Sequence, residues 1–249
     1  MGFNFGFNFG FAARQNSVPP STPPVDLVEA LDGVAGIGSI YDPRITASLH
    51  LSGSNINGID DSLGSLDLTP DTTAAVLETV NGIPCLGTVT KPYWPGALKT
   101  MLDYWPLGVG FLSTEIKIVD WPGDIEWHRS GDGSSWGGIL GKNTVGDNRV
   151  YGTAWNGAAV RTATKAALSA GWHHITYGVD GTRVVVFVDG VKATGETCVA
   201  MAFLAGRPRF YGYESNNDKH GGMVLGSTMN DTMAATLYAV FKSVNPNIP

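Results

Sequence analysis

The residues of this chain with the spacing for acid–base chemistry are two carboxylates, Asp124 and Glu126, in the segment Trp-Pro-Gly-Asp-Ile-Glu-Trp. Residues at i and i+2 of a β-strand lie on one face, about 6.6 Å apart along the strand, so this pair could meet one substrate. The alternative is a surface loop with solvated acids. Cleavage of a glycosidic bond with retention needs two opposed carboxyl groups, one of them a nucleophile.

Metal and nucleophile chemistry has little support in the sequence. The five histidines lack HxxxH or HExxH spacing, and His173 and His174 are neighbours that point to opposite faces of one predicted strand. No Gly-x-Ser-x-Gly segment occurs. The segments at 131–133 (Gly-Asp-Gly) and 216–218 (Asn-Asn-Asp) offer oxygen ligands for calcium, but turn formation explains them better. We expect no catalytic residue, no metal ligand and no cofactor, with calcium as the alternative.

Tryptophans in glycine-rich loops are the candidates for sugar binding. An exposed indole of Trp136 or Trp155 could stack on a sugar ring beside polar side chains, or it could plug the rim of the fold or a subunit interface. The candidate carbohydrate-binding residues are Asp132, Trp136, Asn143, Trp155 and Asn156.

The first residues form an aromatic arm. Phenylalanines alternate with asparagine and glycine, which places every ring on one face of a strand, and they are the candidate partner-anchoring residues: Phe3, Phe5, Phe7, Phe9 and Phe11. Residues 17–24 contain four prolines and predict an extended spacer of about 25 Å. The sequence thus predicts an arm at 1–16, a proline-rich linker at 17–24 and one domain at 25–249. The alternative for the arm is a flexible tail.

Composition favours an ordered, turn-rich protein, with 43% hydrophobic and 15% charged residues and 33 glycines in 249 residues. The net charge of −6 argues against binding nucleic acid. We expect no membrane association, because no apolar stretch reaches the roughly 18 residues of a span, and assembly in a cytoplasm, because no secretory signal is recognisable. Cys85 and Cys198 could pair, but two small, buried, free thiols are the favoured interpretation.

The strands that would position these residues are organised around a central meander. Residues 172–179 and 183–188 predict two strands joined by Asp180-Gly181, and a second Asp-Gly at 189–190 leads into a third strand. Such a meander needs an opposing sheet to bury its apolar face. Alternation predicts further strands at 110–119, 209–213 and 236–244 and a hairpin of 150–154 with 158–164.

The sequence of this meander resembles that of a known family. The stretch GWHHITYGVDGTRVVVFVDGVKATGE is similar to the central hairpin of concanavalin A-like (laminin-G-like) jelly rolls. The resemblance covers roughly residues 40–245 and implies an all-β fold, a two-sheet antiparallel β-sandwich, in which residues 236–244 form the last strand. Some hydrolases of this family carry a Glu-x-Asp-x-Glu strand. In that alignment Pro122 stands where the nucleophile belongs, so we predict that the chain is not an enzyme.

Residues 40–70 resemble the opening of a lectin-like jelly-roll family of tailed-phage structural proteins. With the arm and spacer, this resemblance implies a virion protein: a capsid decoration, head-fibre or tail-fibre subunit anchored by its arm. The implied partners are other virion proteins and copies of the same chain, a trimer being favoured. A host-glycan binding module is the alternative function, and a polysaccharide hydrolase is a less favoured one.

Overall fold

The computed structural model describes residues 26–87, 92–96, 99–120, 125–130, 138–143, 148–165, 168–202, 206–212 and 217–249. Helix α1 (Leu27–Ala30) precedes the first strand, and helix α2 (Asp231–Val244) follows the last. The strands are β1 (Ile37–Tyr41), β2 (Leu49–Ser52), β3 (Asn55–Ile59), β4 (Leu68–Pro70), β5 (Ala75–Val80), β6 (Ile83–Leu86), β7 (Tyr93–Pro95), β8 (Gly110–Ile118), β9 (Ile125–Ser130), β10 (Gly138–Asn143), β11 (Arg149–Trp155), β12 (Val160–Lys165), β13 (Gly171–Val179), β14 (Arg183–Val188), β15 (Val191–Thr197) and β16 (Lys219–Gly226).

The larger of two sheets runs in the order β15-β14-β13-β8-β16-β6-β5-β3-β4-β7, with β1 beside β16 and β2 beside β3. Its neighbouring strands pair antiparallel, and β8 lies near the middle, between β13 and β16. Nearly every residue of β8 is buried, because both faces of the sheet are covered. A strand in this position needs apolar or hydrogen-bonded side chains on both faces.

The smaller sheet, in the order β12-β11-β10-β9, packs over one face of the larger sheet. One core contains Trp127 and Leu140 from the small sheet together with Ile116 and Ile175 from the large one. The hydroxyl of Tyr177 donates to the carbonyl of Thr153 across the gap at 2.5 Å. The predicted all-β fold, a two-sheet antiparallel sandwich, is confirmed.

The predicted meander is also confirmed in detail. Strands β13, β14 and β15 follow one another as antiparallel neighbours. Gly181 and Gly190 take the left-handed conformations that these turns require, with φ of 89° and 77°. The hairpin of β11 and β12 is present as well. Cys85 and Cys198 are both free and buried, as favoured from the sequence.

The prediction of a strand at 236–244 is wrong, because these residues belong to helix α2. The Asn230 side chain accepts a hydrogen bond from the backbone of Met233 at 2.8 Å and caps the helix. The residues that the helix buries are spaced by three or four, which is the helical period: Ala234, Leu237, Phe241 and Val244. They form a second core on the far face of the large sheet, so the sandwich carries a third layer. Within the described part of the chain, no helix has the length and hydropathy needed to cross a membrane.

A two-residue segment joins the sheets along one edge. Phe210 exchanges both backbone hydrogen bonds with Tyr93 of β7, and Arg209 does the same with Arg129 of β9. The sequence predicted a strand from 209 to 213, but Tyr211 has φ of 65°, a left-handed conformation that is strained for a tyrosine. Regular pairing ends at Phe210, and beyond it the Gly212 backbone donates to the carbonyl of Trp127 at 2.6 Å. Residue 213 lies outside the described residues.

Candidate functional site

The outer face of the small sheet carries half-buried polar and aromatic side chains. In β11, Val150, Gly152 and Ala154 are buried, whereas Tyr151, Thr153 and Trp155 alternate with them and are half-buried. Alternation along a strand places this second set on the face away from the core. Two of its three members, Tyr151 and Trp155, are aromatic, the residue type that stacks on sugar rings.

Three arginines and a tryptophan meet at the β9 edge of this face. Mutual backbone hydrogen bonds pair Arg129 with Arg209, and side chains of such a pair lie on the same side of the sheet. The Arg207 and Arg209 guanidinium carbons lie 4.9 and 4.8 Å from the centre of the Trp94 ring. We call Trp94, Arg129, Arg207 and Arg209 the arginine–tryptophan cluster.

The charges of this cluster are partly shielded from water. The Arg129 and Glu126 side chains retain 14% and 21% of their exposure and form an ion pair, with Nε 3.4 Å from Oε2. Arg207 donates from Nε and Nη2 to the carbonyl of Pro95 at 2.8 and 2.5 Å. Burial lowers the pKa of Arg207, against the opposing charge of Asp71. Stacking on an indole holds a guanidinium as a planar fork, and with the Nε–Nη2 edge of Arg207 bonded to Pro95, its Nη1–Nη2 edge is the one that can bind a carboxylate in a bidentate manner.

A buried histidine fixes the segment that carries Arg209. The Nδ1 atom of His128 accepts a hydrogen bond from the Tyr211 backbone at 3.3 Å, so it must be unprotonated there. Burial, followed by the charge of neighbouring His220, lowers the pKa of His128 well below its usual value. The strained turn at Tyr211 is therefore supported by a neutral imidazole.

A buried ion pair joins strand β10 of the small sheet to the residue before β16 of the large sheet. Lys142 and Asp218 are both inaccessible to solvent, with Nζ 2.7 Å from Oδ2. The Asp218 carboxylate also accepts from Trp127 Nε1 at 2.9 Å and from the Val119 backbone at 3.0 Å. Asp218, a residue of one candidate calcium segment, thus has its oxygens engaged by protein donors. Within the described residues, no group of three or more His, Cys, Asp or Glu side chains is arranged to hold a metal ion.

The structure separates the predicted carbohydrate-binding residues that it describes. Trp155 ends β11, and Asn156 follows in the turn, its carboxamide oxygen accepting from the backbones of Ala158 and Ala159 at 3.1 and 2.9 Å. Asn143 is at the opposite end of β10, paired with Arg149. Asp132 and Trp136 lie outside the described residues.

The other residues discussed from the sequence either lie outside the described part of the chain or contact neighbouring side chains of the fold. The anchoring phenylalanines at 3, 5, 7, 9 and 11 and the carboxylate Asp124 are outside it, as is Pro122. Glu126 belongs to the ion pair with Arg129. His173 and His174 face opposite ways as predicted: the first binds Asp189 and the second binds Ser113, each at 2.7 Å.

Sequence reasoning missed the arginine–tryptophan cluster entirely. Its members come from three segments of the chain, and the local patterns around Trp94, Arg129 and Arg209 give no sign that they meet. The one available signal was the pair of arginines at 207 and 209, which share a face of an extended segment.

No protein-family model and no curated protein matches this sequence. Among solved structures, the fold is similar to Trypanosoma rangeli sialidase in complex with sialic acid, with a TM-score of 0.60 and 14% identity, covering 84% of this chain and 34% of the sialidase. It is also similar to the binding domain of botulinum neurotoxin DC in complex with SialylT, with a TM-score of 0.53 and 13% identity, covering 79% of this chain and 52% of that one.

A third neighbour is a botulinum neurotoxin type C structure whose description states that cell entry depends on interaction with two ganglioside molecules. Its TM-score is 0.56 and its identity 11%, covering 79% of this chain and 52% of the toxin chain. The present chain therefore spans about a third of the sialidase and about half of the toxin chains. At these identities the likeness shows the fold alone, an all-β sandwich.

The prediction that this chain is not an enzyme is wrong on this comparison, because several structures with a similar fold are sialidases, which are enzymes. The prediction rested on the proline at 122 in place of a nucleophile. That substitution argues against one two-carboxylate arrangement on one strand and leaves other catalytic arrangements open. The resemblance to concanavalin A-like phage proteins stays a prediction.

Proposed function

We propose that this chain is a glycan-binding β-sandwich that recognises acidic sugars on the outer face of its small sheet. The observation that carries the proposal is the arginine–tryptophan cluster, which gathers three arginines, one of them paired with Glu126, at one edge of that face in a chain of net charge −6. A sugar carboxylate is a planar acceptor that a guanidinium fork binds through two hydrogen bonds. Trp155 and Tyr151 supply the flat apolar surfaces on which sugar rings stack.

The dimensions of this face suit an oligosaccharide. Arg129 pairs with Ile139, which pairs with Thr153, and Trp155 lies two residues farther along the same face. With strands about 4.8 Å apart and a rise of about 3.3 Å per residue, the backbone positions of Arg129 and Trp155 are about 12 Å apart. A ligand of two or three sugar units can therefore contact both ends.

The solved neighbours support the choice of ligand. The sialidase was solved with sialic acid, and the toxin binding domain with SialylT. Sialic acid carries the carboxylate that an arginine fork recognises, so sialylated oligosaccharides are the first ligands to test.

Replacing Arg207 by alanine is expected to weaken binding of sialyllactose by about 10- to 100-fold, because a hydrogen bond to a charged group contributes about 1.5–3 kcal/mol. Titration calorimetry with the full chain measures this loss. Arg207→Lys keeps the charge but removes the fork, and should recover only part of the affinity.

The matched control is Arg183→Ala, which removes an exposed arginine from β14 and should leave binding unchanged. Lactose, which lacks the carboxylate, should bind far more weakly than sialyllactose. Equal binding of the two sugars, or an Arg207→Ala chain that binds like the unaltered one, would contradict the proposal.

A second proposed function is display of this sandwich on a phage particle. It is favoured by the alternating phenylalanines at 3–11, the proline spacer at 17–24 and the resemblance of residues 40–70 to phage lectin-like proteins. The test compares particle incorporation of the full chain with that of a chain starting at Val25, using mass spectrometry of purified particles. Incorporation that needs residues 1–24 supports an anchoring arm, and equal incorporation of both chains refutes it.

A further inference from the structure

An apolar groove opens beside helix α1, on the side of the molecule where the described chain begins. Its volume is about 200 Å³, larger than the roughly 150 Å³ apolar cavity that is known to admit benzene. Asp32 and Gly33 lie at the groove together with its apolar lining, which we call the α1 groove: Val28, Leu31, Val34, Ile37, Ile40 and Leu63. Leu31 and Ile40 are almost fully buried and form its floor, whereas the Leu63 side chain at its rim is 52% exposed.

Hydrogen bonds fix the backbone on both sides of the groove, although its rim is exposed. The backbone N–H groups of Leu63 and Ile40 both donate to Oδ1 of Asp61, each at 3.1 Å, so the loop that carries Leu63 is fixed to β1. On the other side, Asp26 caps α1 through the Glu29 backbone at 2.9 Å, and Leu27 donates to the buried Asp42 carboxylate at 2.8 Å. A large exposed leucine held in place beside a preformed apolar groove is typical of an interaction surface.

The sequence supplies an occupant of matching chemistry. The arm at 1–16 carries five phenylalanines and no acidic residue, and its Arg14 is complementary to Asp32, the carboxylate that lines the groove. Each phenylalanine is followed by a small or short polar residue, so one ring can insert without a bulky neighbour alongside it.

The predicted spacer bears on which copy's arm can reach the groove. The four prolines of residues 17–24 predict an extended spacer of about 25 Å, and this segment ends two residues before Asp26, the cap of α1. A stiff spacer of that length favours the arm of a neighbouring copy over the arm of the same chain. A neighbouring copy can present its arm directly.

We propose that the α1 groove of one copy of this chain receives a phenylalanine from the N-terminal arm of a second copy. The arm then links copies head to tail, an arrangement that closes into a ring when the rotation between copies permits it. With five rings on one arm and several copies in a ring, each weak contact is strengthened by effective concentration. This proposal stands whether or not the sandwich binds glycans.

The first test traps the contact between two full-length chains. One copy carries Phe7→Cys, a second, differently tagged copy carries Leu63→Cys, and mixed-tag disulfides are counted after mild oxidation. The two native thiols are buried, and burial, with the charge of Glu78, raises the pKa of Cys85 to about 12, so they do not compete. The control target is Leu107→Cys, a leucine that is 82% exposed on the turn before β8.

We expect at least ten times more mixed disulfide with Leu63→Cys than with Leu107→Cys. Equal yields would overturn the proposal, and so would a chain carrying both Phe7→Cys and Leu63→Cys that forms only an internal disulfide. That second result would assign the groove to the chain's own arm.

The second test uses sedimentation of full-length chains without any crosslink. Leu63→Asp places a charge at the rim and should weaken self-association at least 10-fold, with no change in the melting temperature because the side chain is half exposed. Replacing the five arm phenylalanines by serine should have the same effect. Self-association that survives both changes, or an unaltered chain that stays monomeric at all concentrations, would refute the proposal.

Discussion

Arg44→Ala is expected to lower the free energy of unfolding by about 3–5 kcal/mol, because removing one member of a buried ion pair leaves the others charged and unpaired. The Arg44 guanidinium is 6% exposed, with Nε 2.8 Å from Asp42 and Nη2 2.7 Å from Glu115, and both carboxylates are fully buried. Urea unfolding at pH 7 measures the loss.

This cluster joins several elements that are distant in the chain. Glu115 of β8 also accepts from the Gly222 backbone of β16 at 2.9 Å and from Asn245, after helix α2, at 2.7 Å. Burial raises the pKa of Glu115, although Arg44 opposes this effect. Burial also disfavours the charged Arg44, but Glu115 and Asp42 outweigh it and raise the pKa of Arg44. Each charge is tolerated in the core only because the others are present.

The matched control is Arg183→Ala, at an exposed position on β14, where the expected change is within about 0.5 kcal/mol. Glu115→Ala should be nearly as costly as Arg44→Ala. The double variant should lose less than the sum of the two, because the residues interact directly. A loss below 1 kcal/mol for Arg44→Ala would show that the cluster does not stabilise the fold in this way.

Lowering the pH from 7 to 5 is expected to lower the free energy of unfolding, and this is the second large effect. Burial lowers the pKa of His174 to about 3, and burial together with the charges of Lys142 and Lys219 lowers that of His220 to about 3. Between pH 6.5 and 3, these histidines are therefore protonated in the unfolded chain but neutral in the folded chain. Their contribution to the free energy of unfolding is complete above pH 6.5 and is lost as the pH falls below it. Each of these two histidines should remove about 2 kcal/mol between pH 7 and pH 5.

The surroundings of these histidines explain the effect. His174 lies against Phe241 with ring centres 4.7 Å apart, and the His220 ring is 6.3 Å from that of His128 between the two sheets. The lowered pKa of His128 adds to the loss. His173, whose raised pKa comes from Asp189 against the effect of burial, and Glu115, whose pKa is raised by burial, oppose it.

Urea unfolding at pH 7 and pH 5 tests this prediction. His174→Gln should reduce the pH dependence by close to one proton, whereas His50→Gln removes a histidine whose side chain is 61% exposed and serves as the control. An unfolding free energy that is the same at both pH values would contradict the assignment of neutral, buried imidazoles.

Local sequence determined the meander and the class of fold. The Asp-Gly pairs at 180–181 and 189–190 specify turns that need left-handed backbone, and the runs between them match the strands β13, β14 and β15. These signals are confined to neighbouring residues, so they could be predicted without knowing the rest of the chain. Trp172, near the start of β13, is 3% exposed, so the meander contributes a large side chain to the core.

Periodicity alone was ambiguous for the last element. Residues 236–244 alternate over a short window, as a strand does, but Leu237, Phe241 and Val244 also have helical spacing. The Asn230 cap and the buried Ala234 favour a helix, and both precede the window that suggested a strand. The large sheet then decides the outcome, because its outer face needs an amphipathic layer to cover it.

Tertiary structure alone decided the arginine–tryptophan cluster and the α1 groove. Trp94, Arg129 and Arg209 meet because Arg209 and Phe210 bridge strands β7 and β9, which belong to different sheets. Leu63 completes a groove with α1 because the Asp61 carboxylate ties its loop to β1. Such contacts depend on backbone pairing between distant segments, and a sequence pattern read over a few neighbouring residues carries no information about that pairing.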